Sequence, residues 1–112
     1  MIEHYEFGKF IVNKKEFNSN IILINDVAKE ARYLENHELK LEDIYPLVDS
    51  KPEVIIIGTG AYGAVKPSKS IIDFIESKGI KLIIERTEDA CNTYNRLLKE
   101  GKKVAAFLHN TC

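Results

Sequence analysis

The second half of the chain alternates continuous apolar runs with amphipathic stretches. Val54–Gly58, Ile80–Glu85 and Val104–Leu108 are short apolar runs of the kind found in strands buried in a parallel sheet. Between them lie Ser68–Lys78 and the segment from Thr87 up to Gly101, which repeat apolar residues at helical spacing. This order predicts a β-α-β-α-β unit with three parallel strands and right-handed crossovers.

Each predicted helix has suitable residues at its ends. Ser68 and Thr87 carry side-chain oxygens that can accept a hydrogen bond from a backbone N–H of the first turn, so we expect them to be the caps. Gly79 and Gly101 follow the last apolar position of each helix, where glycine commonly ends one.

The first half consists of short β-like runs separated by Gly and Asn. Tyr5–Phe7, Lys9–Val12, Glu16–Phe17 and Ile21–Ile24 are rich in β-branched and aromatic residues, which predicts an antiparallel meander. In Val27–Asn36 polar and apolar residues alternate only loosely. The pattern fits a further strand with an irregular exit, but it does not decide the conformation of this segment.

A short helix is predicted between the two halves. Leu41–Asp49 places apolar residues on one helical face, and Pro46 limits the helix to about one or two turns before a kink. Because no linker, repeat or low-complexity tract interrupts the chain, we predict one layered α/β domain over residues 1–112.

Composition narrows the class of protein. The 112 residues are 45% hydrophobic and 29% charged, which is typical of a globular domain and excludes a disordered chain or a long coiled coil. No apolar run approaches the roughly 20 residues of a membrane-spanning helix, and the start has no basic flank of a signal peptide. We therefore expect a soluble, cytoplasmic protein with no membrane partner.

Charge is distributed unevenly. Residues 1–53 carry 7 basic and 11 acidic side chains, a net charge of −4, and residues 54–112 carry 9 and 6, a net charge of +3. Neither half has the strongly basic character of a duplex-binding domain, so no nucleic-acid partner is predicted. The asymmetry would orient an anionic ligand or an acidic partner toward the second half.

Cysteine and histidine give no sign of a disulfide framework or a metal site. Cys91 and Cys112 are too few for a disulfide scaffold. His4, His37 and His109 lack the spacing of metal ligands, and we predict no structural metal.

The segment Gly58-Thr59-Gly60-Ala61-Tyr62-Gly63 matches the dinucleotide fingerprint G-x-G-x-x-G after a predicted strand. Three interpretations are open. A dinucleotide site needs a helix that begins within the glycines, whereas Val65-Lys66-Pro67 intervenes here, and we predict no cofactor. The glycines alternatively serve only tight turning and close backbone approach. The third interpretation is an anion or polar-ligand site, in which backbone N–H groups face a crevice with the start of the Thr87 helix.

The Thr87 helix concentrates polar residues and one thiol near its start. The helix N-terminus and Arg86 would lower the pKa of Cys91, although free cysteine is more often a small buried apolar residue. Tyr94 and Asn95 are expected to brace neighbouring loops. The tentative ligand-binding residues are Gly58, Thr59, Gly60, Thr87, Cys91 and Asn95, and no catalytic residue is assigned.

Several short segments occur in the same order along the chain as in the members of a known protein family. They are Phe7-Gly8, His37-Glu38-Leu39, Ile56-Ile57-Gly58-Thr59-Gly60, Thr87 with Ala90-Cys91, Thr93-Tyr94-Asn95, Glu100-Gly101 and Val104-Ala105-Ala106-Phe107-Leu108. Together they resemble the Mth-type domain of unknown function, whose vertebrate members include an adipogenesis-associated protein and a mitochondrial complex I assembly factor.

The resemblance implies a compact three-layer β/β/α domain with a mixed central sheet, and it implies no activity. Many members carry Arg at the positions of Asn92 and Lys102, so an anion site held by those arginines would be weakened here.

Three functions follow, in order of preference. The first is a protein-interaction or assembly module, acting as a monomer or small homo-oligomer. The alternative is a small-ligand or anion-binding domain, with or without weak enzymatic activity, whose site lies at the Gly58–Gly63 loop and the start of the Thr87 helix. The third is an enzyme or redox sensor that depends on Cys91.

Overall fold

The computed structural model describes all residues from 1 to 112 and contains eight β-strands, three α-helices and one 3-10 turn. The strands are β1 (Ile2–Glu6), β2 (Lys9–Val12), β3 (Lys15–Phe17), β4 (Ile21–Ile24), β5 (Val27–Glu30), β6 (Val54–Gly58), β7 (Lys81–Glu85) and β8 (Val104–Leu108). The helices are α1 (Leu41–Asp49), α2 (Lys69–Ser77) and α3 (Thr87–Lys99), and the 3-10 turn spans Glu35–His37.

A five-stranded mixed sheet lies at the centre, in the order β5-β4-β8-β6-β7. Strand β6 pairs in parallel with both β7 and β8, which confirms the predicted β-α-β-α-β unit. Strand β4 runs antiparallel to β8, with Ile21 opposite Leu108 and Ile24 opposite Ala105. The first and last strong apolar runs of the chain are therefore neighbours in space.

The predicted meander divides between two sheets. Strands β1, β2 and β3 form a separate antiparallel sheet, whereas β4 leaves it for the central sheet. The reason lies in the side chains of β4: Ile21 and Leu23 pack into the core on one face, while Ile22 and Ile24 pack on the other. Four consecutive apolar residues suit a strand that is covered on both faces.

The segment 27–36, whose conformation the sequence did not decide, begins with strand β5, which pairs antiparallel with β4. The two strands are joined by Asn25 and Asp26, whose φ angles are 52° and 58°. Two successive residues with positive φ are the signature of a two-residue hairpin turn, and Asn and Asp tolerate that conformation. The irregular exit is the 3-10 turn.

The elements form three layers, as the Mth-type resemblance implies. Helices α1 and α2 cover one face of the central sheet, where Ile44, Leu47, Ile71 and Ile75 are buried. The small sheet covers the other face, and α3 lies in the same layer beside it. The fold is thus β/β/α with α3 sharing the layer of the small sheet.

Only one of the two predicted helix caps is found. The Ser68 hydroxyl accepts a hydrogen bond from the Ile71 backbone N–H at 3.3 Å, as predicted. The prediction for Thr87 is wrong, because α3 begins at Thr87 itself and the preceding Arg86 occupies the cap position without a side-chain bond. The Thr87 hydroxyl is used elsewhere. Helix α1 has the predicted bounds, with Pro46 inside it.

Candidate functional site

The loop after β6 leaves the carboxyl ends of the parallel strands, which is where open α/β sheets bind their ligands. Here the loop folds back against the strand ends and against the residues that follow β8. Gly60 has a φ of +106°, and a Cβ at that position would collide with the Cys112 backbone and lie 2.8 Å from Cδ2 of His109. A Cβ at Gly58 would lie 2.8 Å from Cδ2 of Leu108. Both glycines therefore serve close approach between parts of the chain.

The backbone N–H groups of residues 59–65 all have partners within the protein. Their hydrogen bonds are 2.7 to 3.4 Å long, and they end on Glu85 O, Thr87 Oγ1, Thr111 O, Cys112 O, Gly60 O, Cys112 O and Thr59 O in chain order. An anion site in this loop would need free N–H groups directed at a crevice. A ligand there would have to replace bonds that the chain already makes to residues 111 and 112.

Thr87 connects three segments at this end of the sheet. Its side chain is fully buried, its hydroxyl accepts a hydrogen bond from the Gly60 N–H at 2.8 Å, and it donates one to the His109 carbonyl at 2.8 Å. One hydroxyl thus satisfies two buried backbone groups and ties the loop after β6 to the end of β8 through the start of α3.

His109, which follows β8, is buried beside the Thr87 hydroxyl, and the sequence predicts no role for it. Its Nδ1 lies 2.8 Å from Oδ1 of Asn20, and the same oxygen accepts a bond from the Asn110 N–H at 2.9 Å. Since a carbonyl oxygen only accepts, Nδ1 carries the proton and Nε2, which has no partner, is the unprotonated nitrogen. Burial, together with the neighbouring His37 ring, lowers the pKa of His109 below its ordinary value.

Asn95 lies in a different cleft, between β1 and α3. The cleft has a volume of about 190 Å³ and is lined by residues of these two elements, among them Cys91 and Asn95 but none of the other four candidate residues. The Asn95 side chain accepts from the Ile2 N–H at 2.8 Å and donates to the Ile2 carbonyl at 2.7 Å. Both functional groups of this amide are engaged in holding β1 against α3.

Cys91 lies beneath β1 and is 6% exposed. Burial, with a smaller contribution from the Glu88 carboxylate, raises the pKa of its thiol to about 12. A thiol with that pKa is protonated at neutral pH, whereas a nucleophilic or redox-sensing cysteine needs the thiolate. The arrangement is opposite to the lowered pKa that the helix start and Arg86 would produce.

The structure therefore divides the six candidate residues. Gly58, Thr59, Gly60 and Thr87 meet at the end of the sheet, while Cys91 and Asn95 lie in the second cleft. A ligand bound to the combined set stays a prediction. His109 and Asn20, which complete the buried cluster, carry no motif, because residues 89 positions apart meet only through the pairing of β4 with β8.

The outer surface at this end of the molecule carries exposed aromatic side chains. Phe7, in the turn between β1 and β2, is 54% exposed, and its ring centroid lies 6.2 Å from that of Tyr62, which is 72% exposed. Tyr62 also lines a shallow depression of about 370 Å³ with Ile84, Lys66 and Arg86. We call these five residues the aromatic surface. Neither of its two basic residues makes an ion pair within the chain.

The largest cavity, about 550 Å³, is an open groove at the opposite end of the sheet, beside the end of α1 and the end of α2. Its polar lining comes from Asp49, Lys51 and Lys78. No group of three or more His, Cys, Asp or Glu side chains is arranged to hold a metal ion. No helix is long and apolar enough to cross a membrane.

Two curated proteins resemble the chain along its length. It is 30% identical over 114 residues to the 13 kDa major membrane protein of Francisella tularensis subsp. holarctica, over 95% of this chain and 87% of that protein. It is 33% identical over 100 residues to NADH dehydrogenase (ubiquinone) 1 alpha subcomplex assembly factor 3 of Drosophila melanogaster, over 81% of this chain and 51% of that protein. The chain spans about half the length of the Drosophila relative.

A solved structure shares the whole fold. The structure of MT938 matches with a TM-score of 0.83 at 27% sequence identity, over 100% of this chain and 98% of that one. This match confirms the Mth-type resemblance and the layered fold. A family model described as a protein of unknown function (DUF498/DUF598) matches residues 2–109, and the chain belongs to this family.

Proposed function

We propose that the chain is a protein-interaction module that acts in the assembly of a protein complex and binds its partner through the aromatic surface. The observation that carries the proposal is the exposed pair Phe7 and Tyr62, at the end of the sheet where the backbone N–H groups of the loop after β6 are all bonded within the chain. Tyrosine and phenylalanine are enriched in the centres of protein interfaces, because their large rigid rings bury much area at a small entropic cost.

The backbone at both aromatic residues is held in place by hydrogen bonds to the end of the chain. The turn that carries Phe7 is fixed by a hydrogen bond from the Gly8 N–H to the Asn110 carbonyl at 2.7 Å. The backbone N–H of Tyr62 donates to the Cys112 carbonyl at 3.1 Å. A surface whose backbone is already ordered loses less entropy when a partner binds.

The charge of the surface indicates the chemistry of the partner. Lys66 and Arg86 line the depression without an ion pair, Glu85 is the one carboxylate in the lining, and residues 54–112 carry a net charge of +3. An apolar or aromatic segment with acidic residues beside it would complement both features. The Drosophila relative is named as an assembly factor, which supports the same class of function for this chain.

The test uses a photoreactive side chain introduced at position 62, and a matched one at position 33 as the control. Tyr33 is also strongly exposed, at 79%, and lies outside the aromatic surface. We expect cross-linking in native extract to yield a specific protein from position 62 but not from position 33. The double substitution Phe7→Ser and Tyr62→Ser should abolish capture of that protein by affinity pull-down, and Tyr33→Ser should leave it unchanged. The same set of cross-linked proteins from both positions would refute the proposal.

We further propose that residues 1–112 act as one domain in the cytoplasm. Support for one domain comes from the two hydrophobic cores, which lie on opposite faces of the same central sheet. Support for a reducing compartment comes from the two cysteines, which are both free. Fractionation of cells with antibody detection would test the location. Recovery of the chain with the membrane fraction, as the name of the Francisella relative suggests for that protein, would contradict it.

A further inference from the structure

Strand β7 forms one edge of the central sheet, and its outer side has no partner strand. The Lys81 N–H donates to the Glu53 carbonyl, and the Glu85 carbonyl accepts from the Thr59 N–H, so the peptide groups of these two residues face inward. Because successive residues of a strand direct their peptide groups to opposite sides, those of Leu82 and Ile84 face outward. The free edge thus offers two N–H and two C=O groups.

The middle of the β7 edge lacks the charged side chains that commonly protect an open strand. It consists of Leu82-Ile83-Ile84, and Ile84 is 40% exposed. At the other edge of the sheet, β5 carries Lys29 and Glu30. Charged residues, lysine above all, are a common protection of open edges against pairing. The contrast marks β7 as the edge that is suited to receive another strand.

The sequence of β7, Lys-Leu-Ile-Ile-Glu, is complementary to itself when read in the opposite direction. We propose that two copies of this chain pair antiparallel through β7, with the two-fold axis at Ile83. In this register Leu82 lies opposite Ile84 of the second copy, and their outward peptide groups form the hydrogen-bonded pairs. Lys81 then lies opposite Glu85 of the second copy, at positions where paired side chains approach most closely.

The charges at the ends of β7 lack partners within one chain. Neither Lys81 nor Glu85 takes part in an ion pair. A second copy supplies a cation beside each of these carboxylates. The equivalent register at the β5 edge would place Lys29 directly opposite Lys29, which is unfavourable.

The experiment measures self-association by sedimentation velocity over protein concentrations from about 10 to 500 μM. The variants are Lys81→Glu, Glu85→Lys and the double exchange, with Lys29→Glu on the other sheet edge as the matched control. Each single change puts two like-charged pairs across the interface, and we expect the dimer dissociation constant to rise about tenfold or more. The double exchange restores opposite charges and should restore the dimer. A mixture of the two single variants should form a heterodimer.

Several results would overturn this pairing. A wild-type chain that stays monomeric over the whole concentration range excludes the pairing. The same result is expected if the edge of β7 binds a strand of a different protein, so that case also counts against the proposal. A dimer that is indifferent to Lys81→Glu, or a double exchange as weak as the single ones, also excludes it. If Glu85→Lys does not fold, judged by circular dichroism, Ile84→Lys replaces it, and a dimer that persists in that variant refutes the proposal. The inference shares Ile84 with the aromatic surface but has its own readout, because Lys81 lies outside that surface and Lys81→Glu is scored by self-association, whereas the proposed function is scored by capture of a different protein.

Discussion

The interior and the exterior of one end of this molecule use their residues in opposite ways. In the interior, Thr87 and the N–H groups of residues 59–65 are each bonded within the chain. On the exterior, Phe7, Tyr62 and Ile84 are large, exposed and without partners. The polar residues that suggested a ligand site are hydrogen-bonded within the chain. The side chains left without such contacts at the surface are mainly large and apolar.

The physical reason is the cost of burying a polar group without a partner. A buried N–H or hydroxyl that loses its hydrogen bond costs about 1 to 3 kcal/mol, so a fold that brings such groups together also pairs them. Exposed aromatic side chains carry no such penalty and remain available to another protein. Five predictions test this difference, in order of decreasing effect.

The largest effect is expected for Gly60→Ala. The new Cβ would collide with the Cys112 backbone and would also impose a side chain on a φ of +106°, so the free energy of unfolding should fall by about 3 kcal/mol. Gly8→Ala is the matched control, because Gly8 has a φ of +86° but nothing within 4 Å of its Cβ position. It should cost about 1 kcal/mol. Equal losses in denaturant unfolding would show that the interior is not filled as described.

The second prediction concerns the bridging hydroxyl. Thr87→Val keeps the shape of the side chain but leaves the Gly60 N–H and the His109 carbonyl without a partner, which should cost about 2 kcal/mol. Thr87→Ser keeps the hydroxyl and should recover about half of that loss. A valine variant as stable as the wild type would mean that these backbone groups find other partners.

The third prediction concerns Asn95. Asn95→Ala removes both bonds to Ile2, so stability should fall by about 1.5 kcal/mol and the Ile2 amide should exchange its hydrogen faster. Asn92→Ala, at an exposed position of the same helix, is the control and should change stability by less than about 0.5 kcal/mol. Unchanged exchange at Ile2 would refute the bracing role.

The fourth prediction is the pH dependence due to His109. Its pKa is lowered in the folded state, so below pH of about 6.5 the unfolded chain binds more protons than the native one. The contribution of His109 to stability is therefore complete above that pH and is lost as the pH falls toward the folded-state pKa. The loss is at most about 1.4 kcal/mol per pH unit.

His109→Gln should flatten the curve of unfolding free energy between about pH 7.5 and pH 5.5. A curve for His109→Gln as steep as that of the wild type would refute this contribution.

The fifth and smallest effect is expected for Tyr62→Ser, on the aromatic surface, which should change stability by less than about 0.5 kcal/mol at any of these pH values. A large loss at Tyr62 would contradict the contrast between interior and exterior.

Much of the fold is predictable because its signals are local. The continuous apolar runs of β6 and β8 and the Ser68 cap are each visible in a few neighbouring residues. The position of β4 is different, because a four-residue apolar run fits a meander as well as a central strand. Strand β4 pairs with β8 because side chains cover both of its faces there, and those side chains come from residues far away in the sequence.

The candidate site was harder to predict for a related reason. Thr87 has a residue type that suits a helix cap, and the direction of its hydroxyl is decided by the nearby Gly60 N–H and His109 carbonyl. Tyr94 falls on the apolar stripe of α3, which predicts its burial, whereas Tyr62 stands in a loop where no helical or strand period indicates whether it is exposed. Exposure is a property of the packed molecule.

The antiparallel pairing of β4 with β8 also sets the order in which the protein can be completed during synthesis. Ile24 leaves the ribosome 84 residues before Leu108, which is roughly 4 to 17 s at ordinary rates of translation. Throughout that interval the hairpin of β4 and β5 lacks its central neighbour and exposes isoleucine and leucine side chains. Closure of the sheet is therefore a late step, and the nascent chain is a natural client for chaperones that bind short apolar strands.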